Sequence, residues 1–276
     1  MSFDFGPIID SRISPYTVGF VLIDGGSPAP LGSGTLVRCR STQGILTCGH
    51  VLAELPQVGE FGVALFGLPQ TRDQRMRIPG ETTVAHAVNF YTPPCTKDGP
   101  DLAFIPIPPA QFATLSASGS VLDLDLGKEK ASSDRPEGAE VLEAVAGVVG
   151  QLTAPASSDG SKSTLTVEGL VCPGSVIAAP RVGQWDQLQF KPQPQSGSVL
   201  PTNFRGTSGG GLWRVYLKKD ADGQYSPLET RLTGVAYWQD EIAGSLGIIG
   251  HGPISIYGHL LTEIYRRWPP PAVAQP

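Results

Sequence analysis

Short runs of apolar and β-branched residues, each bounded by glycine, proline or polar residues, recur along almost the whole chain. The first half contains six of them, at residues 17–23, 35–38, 45–47, 61–65, 82–85 and 102–105. Runs of this length and composition are typical of β-strands. Six such strands can close into one antiparallel barrel, and closure removes exposed sheet edges.

The second half repeats this pattern and then changes its period. Six further runs lie at residues 141–149, 163–167, 187–190, 211–216, 232–237 and 247–250. Between 255 and 268 the apolar residues instead fall on one face of a helix, with Ser255 placed to cap its first turn. These apolar residues are Tyr257, Leu260, Leu261, Ile264 and Trp268. The pattern predicts an all-β chain of two six-stranded antiparallel β-barrels followed by a C-terminal α-helix.

The strand-like runs stop between the two halves. Residues 127–138 are charged, small and interrupted by Pro136, which is typical of a surface connector. We therefore expect an N-terminal barrel at residues 14–115, a linker at 116–139, and a C-terminal barrel with its helix at 140–268.

Composition restricts the class of partner. The 276 residues include 34 glycines and 26 prolines, as expected for many strands joined by turns, and the formal net charge is −5. That charge and the lack of a basic stripe argue against nucleic acid or an anionic membrane as a partner. No stretch is apolar enough for a membrane span, and the N-terminus lacks the pattern of a secretory signal, so we expect a cytoplasmic protein.

The cysteines offer no obvious metal site. Cys39, Cys48, Cys95 and Cys172 form no CxxC pair and have no zinc-ligand spacing. In a cytoplasmic protein, free thiols are the expected state.

One stretch is improbable as ordinary packing sequence: Gly206-Thr207-Ser208-Gly209-Gly210-Gly211. Glycine weakens a strand, but it permits positive φ and close backbone approach. The arrangement could expose the Ser208 hydroxyl beside the amides of Gly206 and Ser208, which would then stabilise an oxyanion. The alternatives are a structural glycine turn or a backbone nest that binds an anion.

A serine nucleophile needs a base and a group that orients the base. His50 follows the run at 45–47, and Asp101 directly precedes the run at 102–105. Asp98 is an alternative to Asp101, since either could be a turn residue. Cys48 beside His50 could suggest a thiol nucleophile, although Ser208 already occupies the glycine-lined position.

These residues lie in three motifs: Gly32-Ser33-Gly34-Thr35-Leu36 followed by Ile45 to His50, Asp101-Leu102-Ala103, and Gly206 to Gly210. The set resembles trypsin-like serine peptidases of the chymotrypsin fold, in particular bacterial intracellular ones. The resemblance implies peptide-bond hydrolysis by a His50, Asp101, Ser208 triad with a Gly206/Ser208 oxyanion hole. It implies no metal or organic cofactor.

The resemblance also suggests substrate contacts and two departures from the family. Tyr237 and Trp238 lie in a weaker match to the strand that pairs with extended substrate, and His251 falls near one wall of the specificity pocket. His251 could bind an acidic P1 side chain or make no substrate contact. Thr202 stands where trypsin has an acidic residue, so a preference for Lys or Arg at P1 is not expected. Thr207 replaces the aspartate that holds a newly cut N-terminus in secreted zymogens.

Three functions stay open at this point. The first is an endopeptidase acting on a protein or peptide substrate, with a site that forms unaided or is ordered by an activating partner protein. The second is a serine esterase using the same triad. The third is a latent or inactive protease-like binding module.

Overall fold

The structure, a computed structural model, describes residues 5–24, 27–66, 75–158, 163–194 and 199–269. Nearly half of these residues lie in strands. The first half supplies β1 Thr17–Asp24, β2 Ser27–Cys39, β3 Thr42–Thr47, β4 Glu60–Leu65, β5 Arg75–Pro79, β6 Val88–Asn89, β7 Ala103–Pro106 and β8 Leu122–Asp123. The second supplies β9 Glu140–Val148, β10 Ala154–Ser158, β11 Ser163–Thr166, β12 Gly169–Ala178, β13 Arg181–Val182, β14 Trp185–Pro192, β15 Gly211–Lys219, β16 Tyr225–Ile242 and β17 Ser245–His251.

The first sheet is an open half-barrel. Its strands follow the order β5-β4-β1-β2-β3-β7-β6, and β8 pairs with β2 in parallel. Along β4, Phe61, Val63 and Leu65 are buried and alternate with more exposed residues. This period of two directs one face of the sheet into the core.

The second sheet closes on itself. Its order is β12-β9-β15-β16-β17-β14-β13, and β12 also pairs with β14. The ring therefore contains six strands, with β13 as a short addition and the hairpin β10-β11 lying apart. The predicted fold class is confirmed, because two largely antiparallel sheets precede a C-terminal helix.

Two strand predictions need correction. Residues 82–85 do not form a strand, because a turn there leads into the 3₁₀ helix Val84–His86 and the Thr83 hydroxyl donates to the carbonyl of Pro79 at 2.7 Å. The edge of the first sheet is β5 instead. The predicted strand at 163–167 does form, but it pairs with β10 outside the ring. Its place in the ring is taken by β12, which the prediction missed and whose sequence contains Pro173 and Gly174 and alternates weakly. Residues of this kind normally indicate a turn.

A shared hydrophobic core joins the sheets. Leu46 and Phe104 of the first sheet belong to the same buried cluster as Ala146, Trp213 and Val215 of the second. The N-terminal helix α1 Gly6–Ile13 adds buried apolar residues to that cluster. Because one core serves both sheets, the relative position of the two halves is set by packing.

Three further α-helices lie between strands in the described part of the chain. Helix α2 Gly49–Glu54 follows β3, and α3 Pro109–Ser116 follows β7. Within the predicted linker lies α4 Leu124–Ala131, where the side chain of Asp123 accepts hydrogen bonds from two amides of the first turn. The linker segment therefore has structure of its own.

The C-terminal helix begins as a π-helix, Ile254–Leu260, and continues as α5 Leu261–Arg267. Its predicted apolar face is buried at Tyr257, Leu260, Leu261 and Ile264. Ser255 is not the N-cap, because it lies inside the helix and bonds to Asp186. In the part of the chain that the structure describes, no helix is both long and apolar enough to cross a membrane.

Asp186 of β14 anchors the start of this helix. Its carboxylate accepts from the amide of Ile254 at 2.9 Å and from the amide and hydroxyl of Ser255 at 2.7 and 2.6 Å. Replacing Asp186 by alanine leaves these buried donors unsatisfied, so we expect a loss of roughly 2–4 kcal/mol in the free energy of unfolding. Urea denaturation measures this change. The exposed Asp222→Ala is the control, and an equal effect of both variants would contradict the anchoring role.

Candidate functional site

The loop before β15 holds Ser208 in a constrained turn. The amide of Thr207 donates to the carbonyl of Phe204 at 3.0 Å, and Gly206 has φ of +94°. This combination is typical of a type II turn, which requires positive φ at its third residue. Gly209 also has positive φ, and a Cβ there would lie 2.1 Å from the carbonyl oxygen of Ser33. The glycines around Ser208 are thus required by the backbone path.

Two amides in this loop lack partners. Thr207, Gly209 and Gly210 all donate backbone hydrogen bonds, whereas Gly206 and Ser208 donate none to any residue in the described ranges. The carbonyl of Arg205 accepts from the amide of Gly150 at 2.8 Å. Because a trans peptide directs its C=O and N–H in opposite senses, this contact orients the Gly206 amide away from Gly150. The two predicted oxyanion donors are therefore available.

Ser33 ties this loop to both sheets. Its amide donates to the carbonyl of Ser208 at 2.8 Å, and its hydroxyl donates to the carbonyl of Gly206 at 2.6 Å. The same hydroxyl accepts from the amide of Val148 in β9 at 2.7 Å. Sequence reasoning did not identify this role, although the flanking Gly32 and Gly34 were a signal that the backbone packs closely there.

His50 and Asp101 form a close pair. His50 is the second residue of α2, and its amide donates to Asp101 Oδ1 at 2.8 Å. His50 Nδ1 lies 2.5 Å from Asp101 Oδ2, while Asp98 makes no contact of this kind within the described residues. The carboxylate thus faces the Nδ1 side, which assigns the proton to Nδ1 and leaves Nε2 as an acceptor.

The environment keeps Asp101 ionised. Burial alone would raise the pKa of Asp101, but the hydrogen bonds and positive charge of His50 outweigh it and hold this pKa below its ordinary value. The side chain of Asp101 is 1% exposed and that of His50 is 23% exposed. The pair therefore combines a buried carboxylate with a partly accessible imidazole.

His50 and Ser208 line one cleft of about 460 Å³. Its other lining residues are Glu54, Tyr91, Cys95, Phe204, Arg205, Thr207, Ala236, Tyr237, Trp238, Gln239 and Ile248. Of the predicted substrate contacts, Tyr237 and Trp238 belong to this wall. Thr202 does not, because its amide and hydroxyl donate to Gln151 Oε1 on the surface.

His251 lies outside the cleft. It is fully buried, stacks on Tyr237 with ring centroids 4.4 Å apart, and its Nε2 accepts from the amide of Asp101 at 2.9 Å. A side chain without exposed surface cannot donate to a substrate carboxylate. In this structure, His251 instead supports the backbone of Asp101.

Two thiols flank the His50–Asp101 pair. Cys95 Sγ donates to Asp101 Oδ2 at 3.2 Å and lies 3.8 Å from His50 Nδ1, and Cys48 Sγ lies 3.6 Å from the same nitrogen. All four cysteines are free. Sequence spacing gave no signal for this cluster, because Cys95 and Asp101 approach His50 only through the fold.

No protein-family model and no curated protein matches the sequence. Among solved structures, human heparin binding protein is similar, with a TM-score of 0.49 and 14% identity over 96% of each chain. An HtrA-type protease, AlgW with a decapeptide, has a TM-score of 0.45 and 18% identity over 94% of this chain and 66% of the other. A structure from work on the disordered Sesbania mosaic virus VPg protein has a TM-score of 0.42 and 16% identity over 89% and 90% of the two chains. At such scores these likenesses carry no conclusion about activity.

The thiols should resist alkylation in the folded protein. Burial is the main cause that raises the pKa of Cys39 and Cys95 to about 12 and that of Cys172 to about 11, and it also raises the pKa of Cys48. Since the thiolate is the reactive form, iodoacetamide at neutral pH should modify the native chain slowly and the urea-unfolded chain at all four cysteines. Intact mass measures the labelling. Rapid modification of native Cys95 would contradict the expectation.

His251 should make stability depend on pH in a defined window. Burial lowers the pKa of His251 from 6.5 to about 4. The unfolded chain therefore takes up a proton between these values while the folded chain does not, so stability should fall as pH drops from 6.5 to 4. The measurement is Tm as a function of pH. His251→Gln should reduce the slope of Tm against pH in this window, and the control His86→Gln, at an exposed position, should leave the slope unchanged. Identical slopes for His251→Gln and the parent would refute the assignment.

Proposed function

We propose that the chain is a serine endopeptidase, with Ser208 as nucleophile, His50 as general base and Asp101 as the group that orients His50. The observation that carries this proposal is the pairing of His50 with a buried Asp101 in the same cleft as Ser208. The amides of Gly206 and Ser208, which donate to no residue in the described ranges, support it.

The mechanism follows from these groups. Ser208 Oγ attacks the carbonyl carbon of the scissile peptide while His50 Nε2 accepts its proton. Asp101 stabilises the imidazolium through Nδ1–H. The amides of Gly206 and Ser208 bind the oxyanion, a contribution of about 3 kcal/mol for each donor in other enzymes. His50 then returns the proton to the leaving amine, and water repeats the sequence on the acyl-enzyme.

A peptide substrate is favoured over a small ester by the free edge of β16. Residues Trp238 to Ile242 pair with β17 on one side, and no described strand pairs with them on the other, because β15 begins opposite Val235. Trp238 and Gln239 also line the cleft. An extended peptide could add to this edge as a further strand, which supplies main-chain hydrogen bonds that an ester lacks.

The site needs no new N-terminus to form its oxyanion hole. Thr207 is buried, and its hydroxyl donates to the carbonyl of Val148 at 3.3 Å. With Gly150 holding Arg205 and Ser33 holding Gly206, the loop is fixed by contacts within the chain. We therefore propose activity without an activating partner. A cytoplasmic location and a lack of nucleic-acid or membrane partners stay predictions from the sequence.

A fluorophosphonate probe tests the proposed nucleophile. We expect stoichiometric label on Ser208, located by peptide mapping, and no label in Ser208→Ala. Asp101→Asn should slow labelling by roughly 10³–10⁴-fold, because the wrong tautomer of His50 is then favoured. Asp98→Asn, which changes a neighbouring carboxylate outside the pair, should label at the parent rate.

Two results would separate the alternatives. Absence of label at Ser208 in folded protein would contradict an activated nucleophile and favour the binding module. Labelling combined with cleavage of p-nitrophenyl acetate but of no member of a peptide library would favour the esterase.

A further inference from the structure

Three donors of different chemistry meet beside the cleft. Cys95 Sγ, His50 Nδ1 and Asp101 Oδ2 are separated by 3.8, 3.2 and 2.5 Å along the three edges of a triangle. Thiolate, imidazole and carboxylate together form a typical donor set for Zn²⁺. The proposed hydrolysis mechanism does not use Cys95, so another role is needed to explain why this thiol lies beside His50 and Asp101.

The triangle is close to the size that zinc needs. Tetrahedral bonds of 2.0–2.3 Å to N, O and S place neighbouring ligands about 3.3–3.6 Å apart. Both edges that include Cys95 Sγ differ from this range by only a few tenths of an ångström. The short His50–Asp101 edge would open by under about 1 Å as the metal replaces the Nδ1 proton between them.

Geometry selects Cys95 over Cys48 as the sulfur ligand. Cys48 Sγ lies 3.6 Å from Nδ1 and 3.8 Å from Nε2 of His50, so it lies over the ring face. The lone pairs of imidazole lie in the ring plane, and a metal on Nδ1 would therefore not face this sulfur. Cys48 is also fully buried, whereas Cys95 is partly exposed and lines the cleft.

We propose that Cys95, His50 and Asp101 form an inhibitory zinc site, with water from the cleft as the fourth ligand. Binding would release the Cys95 thiol proton to solvent and move the His50 proton from Nδ1 to Nε2, so that the imidazole stays neutral. The thiolate and the Asp101 carboxylate together balance the charge of Zn²⁺, which permits a site beside buried groups. With Nδ1 bound to metal and Nε2 protonated, His50 can no longer take the proton of Ser208. The inhibition rests on the proposed function, whereas the metal site does not.

Competition with a chromophoric zinc chelator measures binding directly. We expect one Zn²⁺ per chain, and Co²⁺ in its place should give the near-ultraviolet absorption of a cobalt–thiolate bond. Cys95→Ser should weaken the Kd by more than about tenfold, because a soft sulfur ligand is lost. Cys48→Ala is the matched control and should bind as the parent does. Cys172→Ala and His86→Ala serve as further controls should Cys48→Ala fold poorly.

Fluorophosphonate labelling measures the consequence. Zn²⁺ should suppress labelling of Ser208 in the parent, an excess of EDTA should restore it, and Cys95→Ser should label equally with and without Zn²⁺. No competition with the chelator, or a Kd unchanged by Cys95→Ser, would overturn the zinc site. Loss of labelling even without Zn²⁺ would refute the nucleophile alone, because chelator competition still decides the metal site.

Discussion

The hydrogen bonds of Ser33 are the constraint on which the site depends. This one residue of β2 binds the carbonyls of Gly206 and Ser208 and the amide of Val148, and so joins the first sheet, the second sheet and the loop that carries Ser208. The close approach is possible only without neighbouring side chains. A Cβ on Gly32 or Gly34 would lie 2.5 or 2.4 Å from a side-chain carbon of another strand or helix. Because Ser33 is fully buried, water cannot replace these bonds.

A second group of contacts, to the backbone of Lys97 and Asp101, supports the segment that carries Asp101. The Tyr237 hydroxyl donates to the carbonyl of Lys97 at 2.6 Å, and Gln187 Nε2 donates to the same carbonyl at 2.8 Å. His251, stacked on Tyr237, binds the Asp101 amide. The segment carrying Asp101 belongs to the first sheet, yet these three supports come from β14, β16 and β17 of the second. Each sheet therefore positions a group that the other needs.

The short distances between His50, Asp101 and Cys95 would also allow His50 to bind a metal ion, which would compete with its proposed role as a base. A carboxylate that orients an imidazole through Nδ1 is also a hard oxygen ligand beside a nitrogen ligand. The addition of one accessible thiol turns an orienting pair into a set of three donors. In the proposed zinc site, a metal ion on Nδ1 would move the imidazole proton to Nε2, which could then no longer act as the proposed base.

The sequence by itself determined the all-β class, the C-terminal helix and most strands, because short apolar and β-branched runs bounded by turn residues are typical of buried strands. It also indicated Ser208, His50 and Asp101 as candidates, through the glycines around Ser208, the places of His50 and Asp101 beside strand-like runs, and the resemblance of the three motifs to those of trypsin-like peptidases. It did not indicate β12, where proline and glycine suggested a turn. It also did not indicate the turn at 82–85, where threonine and valine suggested a strand. Only the tertiary structure decided the roles of Ser33, Cys95 and His251. Their partners lie 173, 45 and 150 residues away along the chain, and such contacts leave no local pattern.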